Sequence, residues 1–463
     1  MASFTSPAPR LHSFTELLRR AGVNRPVFYS MLTRGTQGAA ALLTILLVAR
    51  ILDRPTQGYY FTILSFIAFI QLAEFGLTYA VMQSASHEAP ESTPPGAPNP
   101  DPGVRRRLAA LLRGATRFNA TTIVLATLLT AVVGTQMLST DAAAVSATAA
   151  WTLPWIAALA AVAASQLVNP RASLLEGAGF VSEVWLLRLT QELVAAAVLW
   201  TALFAGWGLW VIALSFAARA GVGFGWLGSG WRRRYFKTLS EAGAATRPDG
   251  YWWSEVWPFQ WRIGVSALSG YLIFQFFTPL MFVIKGPTAA GQFGMTLALT
   301  NGLLMVTTAW LSSQAPLFGR LIATRSFDQL DRAFVRSLRS SFLVVLVTGA
   351  AISVGVLMLN RLQLPLAERL LPPGPFVLFI AATVTNHVIF AMAIYLRAHR
   401  REPLMLSSVI GAIVMPLAVA YVAYHAGIAA IAATYLALTV LGLGITALIF
   451  ASRARAWHVD SYA

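Results

Sequence analysis

Runs of about twenty apolar residues, separated by short polar or Gly/Pro-containing breaks, recur from one end of the chain to the other. They predict spans at roughly 27–51, 57–84, 117–138, 149–170, 184–205, 208–227, 256–284, 289–312, 340–359, 372–396, 404–425 and 428–451. Gly206-Trp207-Gly208 and His425-Ala426-Gly427 each split a long apolar run into a hairpin of two helices. One pattern repeats. Residues 27–84 form a helix pair with an arginine early in its first helix, a pause at Asp53-Arg54-Pro55 and a Gly-aromatic start to the second helix; residues 256–312 do the same around Lys285-Gly286-Pro287. The predicted class is an all-α integral membrane protein with twelve transmembrane helices in two six-helix lobes. Because six is even, the lobes are parallel repeats with a substrate path between them.

The polar segments divide the rest. Residues 1–26 form a cytoplasmic N-terminal segment in which Leu11, Phe14, Leu17 and Leu18 share one face at helical spacing, the pattern of a helix lying on the membrane. The N-lobe covers 27–227 and the C-lobe 256–452, with a tail at 453–463. His87–Gly103 is Pro-rich and reads as a disordered spacer. The linker at 228–255 carries Arg232, Arg233, Arg234 and Lys237 among Trp231, Tyr235, Phe236, Trp252 and Trp253, a mixture suited to anionic headgroups.

Composition agrees. Hydrophobic residues make up 57% and charged residues 11%, too little polar surface for a soluble globule of this length. The net charge of +16 would suggest a nucleic-acid partner in a soluble protein. Here it follows the spans: with the N-terminus inside, the inner loops hold most of the Arg and Lys, and the outer loops hold little beyond Arg54, Lys285, Arg361 and Arg369. That asymmetry predicts N-in and C-in. Residues 1–26 lack the apolar core of a signal peptide, and the absence of Cys excludes disulfides and thiolate metal sites. The lack of Cys fits many bacterial inner-membrane proteins but by itself identifies no compartment.

Four stretches carry a resemblance: Ala49–Tyr60 with its outer turn and Gly58-Tyr59 pair, Gln71–Leu77 with Glu74 ahead of Gly76-Leu77, Leu174–Phe180, and Tyr395–Arg401. Together with the topology, the chain resembles the polysaccharide flippases of the multidrug/oligosaccharidyl-lipid/polysaccharide exporter superfamily. The resemblance implies a V-shaped fold in the bacterial inner membrane that moves an undecaprenyl-pyrophosphate-linked oligosaccharide from the inner to the outer leaflet by alternating access, for O-antigen or exopolysaccharide synthesis. Membrane lipids and polysaccharide polymerase machinery are the partners it implies.

A lipid-linked diphosphate needs a hydrated cationic cavity, and arginine suits it because its planar fork donates paired hydrogen bonds and stays charged when partly desolvated. Arg34, Arg188, Arg219 and Arg262 lie inside spans, in the inner third by rise per residue. Arg34 and Arg262 could equally snorkel to the interface and Arg219 more readily so, while Arg188 has Glu192 at i+4 as an ion-pair partner that favours a structural role. Glu74, Glu192 and His387 are candidates for H⁺ or Na⁺ coupling or for ion pairing. Gln37, Gln275, Asn301 and Asn386 are candidates for sugar contacts or for joining helices. No P-loop, metal-ligand cluster or catalytic constellation is present, so neither cofactor nor enzyme activity is expected. Two alternatives stay open: a cation-coupled multidrug exporter of the same superfamily, which would need acids where spans 1 and 7 carry arginine, and a glycan polymerase or ligase, which would need a large outer loop.

Overall fold

The computed structural model describes residues 25–88, 101–140, 151–244, 252–399 and 402–460. The helix predicted at 11–22 and most of the Pro-rich spacer lie outside these. Twelve helical stretches among the described residues are long and apolar enough to cross a membrane. The all-helical, twelve-span architecture therefore stands.

The N-lobe consists of α1 (Arg25–Ile51), α2 (Arg54–Leu72), α3 (Leu77–Glu88), α4 (Pro102–Leu138), α5 (Thr152–Gln166), α6 (Asn169–Gly177), α7 (Val181–Phe204) and α8 (Trp210–Leu227). The linker contains α9 (Gly230–Ala244) and one π-helical turn, Trp252–Val256. The C-lobe follows as α10 (Trp257–Phe274), α11 (Phe277–Lys285), α12 (Pro287–Ser312), α13 (Ala315–Ala323), α14 (Phe327–Arg361), α15 (Pro373–Ala398), α16 (Met405–His425) and α17 (Ile428–Asp460). We call the end where α1 begins proximal and the end where α1 turns into α2 distal.

Both predicted pauses are real turns. Asp53 caps α2 by accepting the Thr56 amide at 3.1 Å, with Pro55 in the first turn. Gly286, at φ 85°, ends α11, and Pro287 starts α12. Several spans are broken where an unbroken helix was expected. Span 2 turns at Phe75 and Gly76, with φ 50° and 73°; span 4 divides between Gln166 and Asn169, and span 7 between Phe274 and Phe277. The breaks in spans 2 and 4 meet. The Glu74 carboxylate accepts from Thr78 at 3.0 Å and Asn169 at 3.2 Å, its carbonyl accepts from Gln260 of α10 at 3.1 Å, and Asn119 donates to the Gln166 carbonyl at 3.0 Å. Side chains thus satisfy groups that the interrupted ladders leave unpaired. Two helices are longer than predicted, because α4 and α14 extend proximally by several polar, Arg-bearing turns.

The lobes meet through α2 and α12 at the distal end. A Cβ on Gly58 would lie 1.9 Å from the Pro287 carbonyl oxygen, and one on Gly294 would lie 2.3 Å from Phe61. Only glycine admits this approach. The buried core that surrounds the crossing includes Tyr59, Ile63 and Phe66 from one lobe and Phe282, Phe293 and Met295 from the other.

Candidate functional site

Between α1, α2, α7 and α8 the N-lobe forms a half-open cavity of about 290 Å³, and Ala298 of α12 adds a wall from the other lobe. Its polar side is made by Gln37, Glu192 and Arg219, and its apolar side by Tyr60, Phe61 and Leu64. Glu192 and Arg219 form a two-armed ion pair, 2.5 Å from Nη1 to Oε1 and 2.6 Å from Nη2 to Oε2. Gln37 donates to Glu192 Oε1 at 2.9 Å, and Gln191 donates to the Arg219 carbonyl at 3.0 Å. The pair sits midway along α7 and α8, so Arg219 lies deeper than the inner third predicted for it.

The expected Arg188–Glu192 pair does not form. Arg188 instead reaches back to Glu176 of α6, with bonds of 2.6 and 3.2 Å, while Glu192 turns to Arg219. Helical spacing brings i and i+4 side chains near each other, but a carboxylate on the next helix offers Arg188 both oxygens in fork geometry. The two deeper arginines are therefore neutralised. The polar wall of the cavity carries no net charge.

Arg34 and Arg262 differ. Both are exposed, and neither has a carboxylate partner among the described residues. Arg34 lies 5.9 Å from the ring centre of Trp185, whose ring also meets Arg188 at 4.8 Å; Arg262 lies 5.7 Å from Trp261. Stacking on indole holds a guanidinium without consuming its hydrogen-bond donors. Helices α1 and α10 contain no Asp or Glu.

The remaining predicted residues separate into other environments. His387 is fully buried in the C-lobe, its Nε2 2.9 Å from Ser341, and Asn386 donates to the Tyr435 hydroxyl at 3.3 Å. Both sit among packed helices and do not line the cavity. Gln275 caps α10, and its carbonyl accepts from Ser65 of α2 at 2.5 Å, which ties the lobes at mid-depth. Asn301 is half-buried on α12 without a hydrogen bond to a described side chain. Among the described residues no group of His, Asp and Glu could hold a metal ion.

Sequence reasoning missed a distal latch. Gln57 is buried and donates to the Gly291 carbonyl at 3.1 Å and the Arg369 carbonyl at 3.2 Å, while Arg369 donates back to Gln57 Oε1 at 3.2 Å. Arg54 pairs with Glu368 at the rim. Burial lowers the basicity of the Arg369 guanidinium and neighbouring Arg54 lowers it further, against a raising effect of Asp53. Gln57 was legible only as one polar residue beside Gly58.

Solved structures now bear on this geometry. A Vibrio cholerae MATE transporter, VcmN in a single-site mutant form, superposes with a TM-score of 0.60 at 13% identity, covering 94% of this chain and 97% of that one. The eukaryotic MATE transporter AtDTX14 gives 0.57 at 11% identity over 94% and 100%. The inward-facing conformation of a multidrug resistance MATE family transporter of the MOP superfamily gives 0.57 at 13% over 91% and 98%. The fold is that of the MATE transporters. No protein-family model and no curated protein matches the sequence. At these identities the likeness carries the MATE fold alone, yet it spans both lobes and nearly the full length of each neighbour.

Proposed function

We propose that this chain is a secondary transporter that carries an anionic, lipid-linked headgroup between leaflets, namely an oligosaccharide on a polyprenyl pyrophosphate. The observation that supports this reading is the pair of exposed arginines, Arg34 and Arg262, placed early in the first helix of each lobe with free donors and no acid on either helix. A pyrophosphate supplies the oxygens those forks lack. The prenyl tail stays in lipid, and closure of the distal end by Gln57, Gly58 and Arg369 leaves the proximal leaflet as the side from which a headgroup is taken. Loop charge supports a cytoplasmic assignment of that side.

A second reading, a cation-coupled multidrug exporter of the same superfamily, draws support from the solved neighbours, one of which is described as a multidrug resistance MATE family transporter. Two features of the cavity support it as well. At about 290 Å³ it matches the low end of small-ligand pockets and is too small for several sugars. Glu192 also supplies a carboxylate that a cation or a proton could meet if Arg219 swung away.

One experiment separates the readings. The purified chain is reconstituted in vesicles that contain either a fluorescent polyprenyl-pyrophosphoryl oligosaccharide or a lipophilic cationic dye. Leaflet exchange of the first, abolished by R34Q/R262Q, supports the flippase. Movement of the dye alone, indifferent to those substitutions, replaces it with the exporter.

A further inference from the structure

The linker is a built platform. Tyr235 and Leu239 of α9 are buried in one cluster with Val104, Leu108 and Leu111 of α4, and the Trp231 ring packs tilted against Phe180 with centres 4.7 Å apart. Burial pushes the Tyr235 phenol up to about 12. Arg232 is fixed from three sides: Nε donates to the Trp226 carbonyl at 2.7 Å, Nη1 to Glu183 at 3.1 Å and Nη2 to Ser229 at 3.0 Å, with Trp226 stacked 4.4 Å beneath it. These contacts fix which way the opposite face of α9 points.

That face carries Arg233, Arg234 and Lys237. All three are exposed, and none has a carboxylate at ion-pair distance among the described residues. In the same linker, Trp253 is 63% exposed and packs edge-on to Trp257 at 5.4 Å. Helix α4 has 37 residues, a length of roughly 55 Å at the helical rise, against a hydrocarbon core of about 30 Å. Its first turns therefore project past the core on the proximal side, and α9, which starts at Gly230 three residues after span 6 ends at Leu227, leaves the core at the headgroup layer, where tryptophan is at home. Fixed cations at that depth meet lipid phosphates before they meet anything dissolved.

We propose that α9, with the first turns of α4, is a docking platform for the headgroups of anionic phospholipids in the proximal leaflet. The site is separate from the transport cavity, and its occupancy does not depend on which substrate the cleft carries. Three cations near an anionic surface correspond to an affinity effect on the order of a hundredfold, screened as salt rises.

The full chain is reconstituted in phosphatidylcholine bilayers containing phosphatidylglycerol. Enrichment of phosphatidylglycerol around it is read by mass spectrometry of the retained lipid and by quenching of tryptophan with brominated phosphatidylglycerol. R233Q/R234Q/K237Q is compared with R332Q/R336Q/R339Q, three exposed cations at the same end on α14. Enrichment by the wild type and by the α14 variant, with loss of most of it in the α9 variant and a several-fold fall in each single α9 variant, is expected. Wild-type enrichment in the α9 variant, or equal loss in both triple variants, would overturn the proposal.

Discussion

Arg219 of α8 closes both arms of its guanidinium on Glu192 of α7, at 2.5 and 2.6 Å, in the middle of the N-lobe. Glu192 is the more enclosed partner, with 15% of its side chain exposed against 31% for Arg219. A carboxylate facing a membrane cavity without a counter-charge is disfavoured far more than a neutral side chain. R219Q is therefore expected to destabilise the protein by about 2 kcal/mol, the partial exposure reducing the range for a broken buried pair. The double variant E192Q/R219Q should recover most of that loss, because it removes both charges and leaves amides that can bond to each other and to Gln37. Thermal unfolding in detergent measures the difference. A double variant less stable than R219Q would show that the pair adds net stability of its own.

Arg34 and Arg262 carry the functional prediction. Each can offer a two-armed, charge-assisted contact, worth roughly 1.5–3 kcal/mol when substrate phosphate is the acceptor. R34Q and R262Q should each lower kcat/KM for the pyrophosphate lipid by about ten- to a hundredfold. R34K should recover only part, since an ammonium lacks the planar fork and stacks less well on Trp185. Stability should hardly change, because neither arginine has an ion pair to lose among the described residues. Equal transport by R34Q, R262Q and the wild type would remove both from the substrate path.

Much of this was legible in the chain. Spans follow from hydropathy because the bilayer allows few alternatives to a long apolar helix. The pauses at Asp53-Arg54-Pro55 and Lys285-Gly286-Pro287 follow from cap and turn chemistry that is local to a few residues. The recurrent Gly-aromatic motif proved to be where the two copies of the pair touch, Gly58 against Pro287 and Gly291. Pairings between helices were not legible. Glu192 has Arg188 one turn away on its own helix, and nothing in the local sequence says that Arg188 will face Glu176 and that Glu192 will face Arg219. The break at Phe75-Gly76 was hidden for a related reason. An apolar stretch reads as one helix, and the partners that tolerate its interruption, Asn169 and Gln260, come from distant parts of the chain.

The distal latch combines one strong and one weak contact. Arg54 and Glu368 are 49% and 57% exposed, and ion pairs in that situation contribute between nothing and about 1 kcal/mol. Gln57 is 1% exposed and serves two carbonyls and a guanidinium. Its removal takes a buried amide away from all three contacts, at about 1–3 kcal/mol. E368A should therefore leave transport within about twofold of wild type, whereas Q57A should shift the lobes toward separation at the distal end. Solvent accessibility of single cysteines introduced at the distal ends of α2 and α12 reports that separation, in a chain that has no cysteine of its own.

Gly58 gives the sharpest test of closure. The atom its Cβ would strike is the Pro287 carbonyl oxygen, 1.9 Å away, and the next two are also Pro287 backbone atoms at 2.5 and 2.9 Å. A flexible side chain could rotate aside, but backbone at the start of α12 cannot, since Gly286 and Pro287 fix its direction. G58A keeps a good helix former on α2, so each lobe should fold as before. The closed contact between α2 and α12 then becomes inaccessible, and a transporter that must pass through it should hold substrate without turning over. Spin labels on the distal ends of α2 and α12 should report a longer distance in G58A than in wild type, together with a transport rate lowered at least tenfold and substrate binding within a few-fold. Gly270 is the matched control, because its Cβ would meet nothing within 4 Å and its helix lies in the same lobe interface. Wild-type distances and rates in G58A would mean that the crossing at Gly58 is not part of the transport cycle.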